Sequence, residues 1–360
     1  MFKESLQIQR DAGDETYQAL CLNNIGNAYL QKGENEDALT YLQQALQLRE
    51  KLNVPVDIAD TLHNLGEAYA NLGQYDQAMT SHMRGLDLYR KGGDSQGTAV
   101  VSHSLGLVFE YQGRFGPAIG ALQDAVKAFR DLGDRSSRMA QALNDLGGVL
   151  AKSGRSAEST KLLDEAQGLA RGLKNDALSA SVLNHQGDAG FYQGDMKSAK
   201  DSYQQALRLA SHTSEKDVLL TSKLNLAKVA VAEGHSLAAV TDLRNLGQQA
   251  DTLGAKYLSV DCAVSLADAL IKDKDYPRAR QELQRSLSKS EKLGLRLENA
   301  RIHYLLGTSL RLAGSASEAT AHYRETVRLL DEIRKEQGAE HIIERYDLKP
   351  MYSEAAQFGQ

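Results

Sequence analysis

A glycine followed seven residues later by a second glycine recurs along this chain at a step of about 40 residues. The pairs are Gly26/Gly33, Gly66/Gly73, Gly106/Gly113, Gly147/Gly154, Gly187/Gly194 and Gly307/Gly314, with Ala227/Gly234 and Ala267/Lys274 as degenerate copies. Self-similarity at this period belongs to stacked repeats that bury a face on their neighbours, not to a globule with one central core. Before the second glycine, apolar residues fall at helical spacing, as in Leu22, Ile25, Gly26, Tyr29 and Leu62, Leu65, Gly66, Tyr69; this marks one face of an amphipathic helix. A second helical stretch follows, with Ala38, Leu42, Ala45 in the first copy and Ala118, Leu122, Ala125 in the third. Each repeat is therefore predicted as two antiparallel helices, with the second glycine ending the first helix in the left-handed region. Pro117 and Pro277 fall in the first turn of second helices, where the missing N–H is not needed, and Pro55 lies between repeats.

These residues resemble the tetratricopeptide repeat in its longer, 40-residue variety found in kinesin light chains; the second copy shows it in Leu62, Leu65, Gly66, Tyr69, Gly73, Tyr75 and Ala78. The resemblance covers residues 17 to 337. It implies an all-α fold, a right-handed α-α superhelix of about eight helix pairs plus a C-terminal capping helix, and close packing of the small residue in the first helix against the alanine of the second. On this reading residues 1–13 are a partial helix of a preceding repeat, carrying Phe2, Leu6 and Ile8. Residues 14–337 are eight tandem repeats, and 338–360 are a capping helix and tail, with Ala339 to Arg345 followed by an irregular stretch around Asp347 to Pro350. The tail is also similar to the closing segment of tetratricopeptide arrays that follow bacterial serine/threonine kinase domains, through Arg345, Asp347, Leu348 and Pro350. Gln186, Gly190 and Ser159 depart from the motif, so the middle repeats are expected to be less regular. One extra residue falls in the connection Asp134 to Arg138.

Composition narrows the function classes. Hydrophobic residues make up 42% without a single Trp, which suits many small layers stacked neighbour on neighbour. A net charge of -5 supplies no general attraction to nucleic acid or anionic lipid. No run of 18 apolar residues and no basic-apolar signal pattern at Met1 to Arg10 are present, so the expectation is a cytoplasmic chain that spans no membrane. Cys21 and Cys262 are the only cysteines. They hold equivalent positions six repeats apart, and helices packed at about 8–10 Å put them beyond the reach of a disulfide.

Within each first helix, the positions six before, two before, one after and five after the small residue share a face, and by the resemblance that face lines a concave groove. It carries Asn24, Asn27 and Gln31 in the first copy, Asp60, Asn64, Glu67 and Asn71 in the second, Tyr111 in the third and Tyr192 in the fifth. Side-chain amides can pair with both N–H and C=O of an extended peptide. The first helices of repeats one to three contain no Lys or Arg, which departs from the carboxylate clamp of the family and favours a neutral or basic ligand segment. Lys152, Lys228, Lys272 and Arg301 follow later and read as ordinary solvated cations. Gly148 sits on the same face and reads as open, so that alanine there is mild, whereas Gly66→Leu forces its helix pair apart.

His63 and His103 share a phase, with His82 between them, but no HExxH, CxxC or acid cluster accompanies them, so no metal site is expected. No nucleophile elbow, phosphate loop or kinase motif occurs; the chain is read as non-enzymatic, without a cofactor. The function expected is a protein-protein interaction scaffold that binds a peptide or helix of a partner in the groove. The alternatives are self-association through an open N-terminal end, or a regulatory arm of an upstream enzyme such as a serine/threonine kinase.

Overall fold

The computed structural model describes residues 2–360, with the side chain of Phe2 outside that description. After a leading helix α1 (Phe2–Asp11), sixteen helices follow in consecutive pairs: α2 (Glu15–Gln31) and α3 (Asn35–Leu52), α4 (Pro55–Asn71) and α5 (Tyr75–Gly92), α6 (Ser95–Tyr111) and α7 (Phe115–Asp131), α8 (Ser137–Lys152) and α9 (Ser156–Gly172). The remaining pairs are α10 (Asp176–Gln193) and α11 (Met196–Ala210), α12 (Lys216–Ala232) and α13 (Ser236–Leu253), α14 (Lys256–Lys272) and α15 (Tyr276–Leu293), α16 (Arg296–Leu312) and α17 (Ala316–Arg334). A 3-10 turn (Ile342–Glu344) and α18 (Leu348–Phe358) close the chain, and no strand occurs among the described residues. No helix among them is long and apolar enough to cross a membrane.

The glycine register is the helix register. Gly33, Gly73, Gly113, Gly154, Gly194, Gly234 and Gly314 all take positive φ in the turn between the two helices of a pair, and Lys274 takes it at φ 64 in the one pair without the glycine. Pro55 is the first residue of α4, a position that needs no N–H. The extra residue lies between α7 and α8, where Ser136 caps α8 by accepting from the Arg138 N–H. Gln186 and Gly190 do not interrupt α10, which runs as one 18-residue helix.

The packing partner of the small residue differs from the expected alanine. An added Cβ would meet Leu42 Cγ at 2.5 Å from Gly26, His82 Nδ1 at 2.6 Å from Gly66, Leu163 Cγ at 2.7 Å from Gly147 and Tyr203 Cδ1 at 2.5 Å from Gly187. Each partner lies sixteen positions on, one turn beyond the alanine. The glycine lets a large side chain of the second helix lie flat on the first helix, and the alanine or serine one turn earlier contributes mainly its backbone carbonyl, Ala38 O at 3.3 Å from Gly26 and Ser159 O at 3.4 Å from Gly147. Gly148 is not open: its Cβ would meet His185 Cε1 at 2.8 Å, so alanine there displaces an imidazole.

By contact the chain divides into two compact units, residues 1–109 with 120–134 and residues 110–119 with 135–360. In the first, α1 docks through Leu6 on a layer of Cys21, Leu22, Ile25 and Ala45, while Ile8 is exposed. The next layer joins Ala38 and Leu42 of the first pair to Leu65 and Ala68 of the second. In the second unit the same logic joins Ala199 and Tyr203 to Val229. Its end is closed where Ala355 of α18 packs on Ala319 and Tyr323. The tail differs in layout from the sequence expectation: residues 339–345 are turns with a short 3-10 helix, and the capping helix is α18, with Pro350 in its first turn where a missing N–H costs nothing.

The second unit is more than a nearest-neighbour stack. Its segment 110–119 meets the eighth pair: the Arg296 N–H donates to Gln112 O (3.4 Å), and the Gly116 N–H donates to Glu336 Oε2 (3.1 Å). Glu336 also pairs with Arg296 at 2.5 Å. These contacts join residues up to 220 positions apart. The glycine packing is testable in isolation. Gly187→Ala is expected to cost about 1–3 kcal/mol by overpacking on Tyr203. Gly168→Ala, in α9 with nothing within 4 Å, is expected to stabilise by up to about 1 kcal/mol; urea denaturation of the two variants reads the difference in sign.

Candidate functional site

The face predicted as the groove has opposite fates in the two units. In the first, Asn24 is half-buried and Asn27 and Gln31 are exposed, and none of the three amides makes a hydrogen bond among the described residues. Asn64 Nδ2 donates to Asn23 Oδ1 at 3.3 Å, and Asn71 Nδ2 donates to Asn35 Oδ1 at 3.1 Å. Each bond uses one N–H and leaves the remaining amide atoms of Asn64 and Asn71 to other partners. Asp60 is tied into the scaffold: it accepts from the buried Tyr89 hydroxyl. Beside it Arg49, 4% exposed, donates to Asp57 O (2.6 Å) and Thr61 Oγ1 (2.7 Å), clamping α3 to α4. Burial pushes the Tyr89 hydroxyl up, and Asp60 adds to the shift.

Glu67 stands among histidines. His82 Nε2 lies 3.7 Å from Glu67 Oε1, and the rings of His63 and His82 are tilted at 5.5 Å. Burial would raise the Glu67 carboxyl, but His63 and His82, with a hydrogen bond from Ser104 and the charge of His103, leave it below the ordinary glutamate range. Burial pulls the His82 imidazole down to about 4 against the pull of Glu67. The sequence sets Glu67 on the groove face without linking it to His63, His82 and His103; the signal for their meeting is the sixteen-residue spacing from Gly66 to His82.

In the second unit the same phases are filled from within. Lys152 pairs with Glu110 at 2.6 Å. Lys228 and Arg301 both bind Asp261, at 2.5 and 3.1 Å, and Arg301 also reaches Glu298 at 3.0 Å. Asp188 accepts from Tyr203 Oη (2.7 Å) and Asn225 Nδ2 (3.1 Å). Lys272 donates to Asp268 at 3.1 Å and to Val231 O at 3.3 Å. The expectation of solvated cations therefore fails for Lys152, Lys228 and Arg301. Burial alone would lower the Lys152 ammonium, but Glu110 holds it well above its ordinary range. Burial would raise Asp261, yet Lys228 and Arg301 hold it down to about 2, while Glu298 is pushed up, first by burial.

Tyr111, still 37% exposed, and Tyr192 are the two aromatic residues of the predicted groove on this face. Tyr111 packs on Tyr257 with ring centroids 5.6 Å apart, beside a cavity of about 10 Å³ lined by Glu110, Lys152, Tyr257 and Glu298, room for about one water. Tyr192 is covered by the tail: the Arg345 guanidinium stacks 3.6 Å from its ring centroid, and the Tyr346 N–H donates to its carbonyl at 2.8 Å. Arg345 is itself buried, donating to Lys152 O at 2.9 Å and to Asp347 at 2.6 Å. A feature with no local signal in the sequence is a surface cleft of about 440 Å³ between α9, α10 and α11, with Arg171, Lys174, Asp176 and Arg208 in its lining.

The sequence profile of the tetratricopeptide repeat matches residues 1–51, 57–131 and 138–212, and a second profile of the same repeat matches 103–172 and 264–332. No curated protein sequence matches the chain. Among solved structures, a Rap conjugation gene regulator of the plasmid pLS20, in complex with the Phr* peptide, is 13% identical with a TM-score of 0.63 over 88% of this chain and 96% of that one. A Rap protein complexed with Competence and Sporulation Factor is 12% identical, with a TM-score of 0.59 over 95% and 99%. BtubC (BKLC) from P. vanneervenii is 18% identical, with a TM-score of 0.51 over 58% and 88%. These likenesses are of fold.

The buried network makes two predictions. Asp261→Asn leaves Lys228 and Arg301 without their shared anion and is expected to cost about 3–5 kcal/mol in denaturant. An Asp held at about 2 when folded and near 3.9 when unfolded contributes stability that is present above about pH 4 and lost as pH falls towards 2. Lys228 and Arg301 face it, and Glu298 lies within its electrostatic reach. Stability measured across that range is expected to fall more steeply in the wild type than in Asp261→Asn.

Proposed function

Because the chain belongs to the tetratricopeptide repeat family, we propose that it is a protein-interaction scaffold, holding a segment of a partner along the first-helix face of its first two repeats. The observation that carries this reading is the contrast in polar pairing. Asn24, Asn27 and Gln31 keep amides with no partner among the described residues, while the same phases of the second unit are consumed by Lys152 with Glu110 and by Asp261 with Lys228 and Arg301. A row of amides offers both donors and acceptors to an extended backbone. With Glu67 and Asp60 on that face and no Lys or Arg in the first helices that carry it, a neutral or basic segment is favoured over an acidic one. The fold is shared with Rap proteins seen in complex with a peptide and with Competence and Sporulation Factor, which supports a peptide-sized partner. The role is binding, not catalysis.

The test starts from peptides selected by display on the intact chain, with affinities then measured by calorimetry. Asn24→Ala and Asn27→Ala are each expected to weaken a selected peptide by about 1–3 kcal/mol. Gln44→Ala, on α3, where Gln44 donates to Thr40 O at 3.2 Å, is expected to leave affinity unchanged. Selected peptides indifferent to both asparagines would refute this placement of the binding face.

A further inference from the structure

Sixteen positions after the small residue of the eight repeats stand Leu42, Leu122, Leu163, Leu243 and Leu283 in five, Tyr203 and Tyr323 in two, and His82 in the second; Leu42, His82, Leu163, Tyr203 and Tyr323 fill the space against their glycines. The tyrosines end in hydrogen bonds, Tyr203 to Asp188 and Tyr323 to Thr308. His82 is wholly buried, and neither ring nitrogen has a hydrogen-bond partner. A buried polar group left so pays its desolvation without return, a cost that leucine in this column does not carry. The other close histidine pair, His303 and His322, joins Nδ1 to Nδ1 at 2.9 Å.

The missing partner of His82 has a direction. Glu67 Oε1 lies 3.7 Å from its Nε2, and one donor atom each from His63, Glu67 and His82 lie within 4.8 Å of one another. His63 and Glu67 are four residues apart on α4, hence on one face, and His82 comes from α5. Ser104 donates to Glu67, the kind of second contact that fixes a ligating carboxylate. The Glu67 side chain is 41% exposed, so the cluster has a side open to solvent.

We propose that His63, Glu67 and His82 form a binding site for a divalent transition-metal ion of the zinc class, bridging the two helices of the second repeat. Two imidazole nitrogens and one carboxylate suit zinc or cobalt, whereas calcium and magnesium require sets dominated by oxygen. Bonds of about 2.0–2.2 Å in a tetrahedral site place ligand atoms about 3.4 Å apart. The His82 to Glu67 separation is already close to that, and a rotamer adjustment of the half-buried His63 closes the rest. The ion supplies the contact that His82 lacks and leaves a fourth position facing solvent. The site rests on these side chains alone, although Glu67 also lies on the face proposed for the peptide.

The test uses the intact chain, stripped with chelator and titrated with Co²⁺ alone, followed by visible absorption and calorimetry. One Co²⁺ per chain is expected, with the intense bands of four-coordinate cobalt and displacement by Zn²⁺. His82→Leu, which installs the residue of five other repeats, and Glu67→Gln are each expected to weaken Co²⁺ by at least about 100-fold, more than outer-shell changes cost, with unchanged helical circular dichroism. His322→Leu is expected to leave binding as it is. Stoichiometric Co²⁺ binding that survives both His82→Leu and Glu67→Gln, or no stoichiometric binding by the folded wild type, overturns the proposal.

Discussion

The contact on which the architecture depends is a large side chain of each second helix laid on a residue without bulk in the first. Leu42 on Gly26, Leu163 on Gly147 and Tyr203 on Gly187 leave no room for a Cβ, so the two helices of these pairs are set at a distance that glycine allows. Overpacking at such a point costs about 1–3 kcal/mol, which is comparable to a large fraction of the stability one repeat contributes to its neighbours. The layers between pairs, such as Ala38 and Leu42 against Leu65 and Ala68, then follow from the 40-residue repetition.

That constraint fixes which residues of the first helix point away from the partner helix, but not what meets them. In the first unit the outward phase leaves Asn24 half-buried and Asn27 and Gln31 exposed to solvent. In the second unit the outward phase is answered by the chain itself, through segment 110–119, the buried Arg345 and the ion pairs centred on Glu110, Asp261 and Glu298. Buried pairs of this kind cost desolvation and gain it back only when every partner is present. Arg345 satisfies that condition by meeting a ring, a carbonyl and a carboxylate together.

Helix pairs and their turns were legible because they are written locally, in Gly26/Gly33 and its copies. The closed face was not, because Gly116 and Glu336 are 220 residues apart and no local pattern announces that they meet. Lys152 and Arg301 look alike in sequence whether solvated or paired; only the position of Glu110 and Asp261 decides. His82 was legible in principle: set against Leu42, Leu122 and Tyr203 in the same column, it is the one imidazole in a place for bulk. Pro350 misled the reading of the tail, since a proline serves equally well to break a helix or to open one.

The central claim is that one sequence phase keeps unpaired amides at Asn24, Asn27 and Gln31 in the first unit and is internally satisfied in the second. It is tested most directly by acylating lysines of the native chain and following each site by mass spectrometry. Lys152 and Lys228, with side chains 18% and 21% exposed and paired to Glu110 and Asp261, are predicted to react far more slowly than Lys51 and Lys127, at 64% and 75%. Equal rates at all four would show the second face open to solvent and would contradict the account.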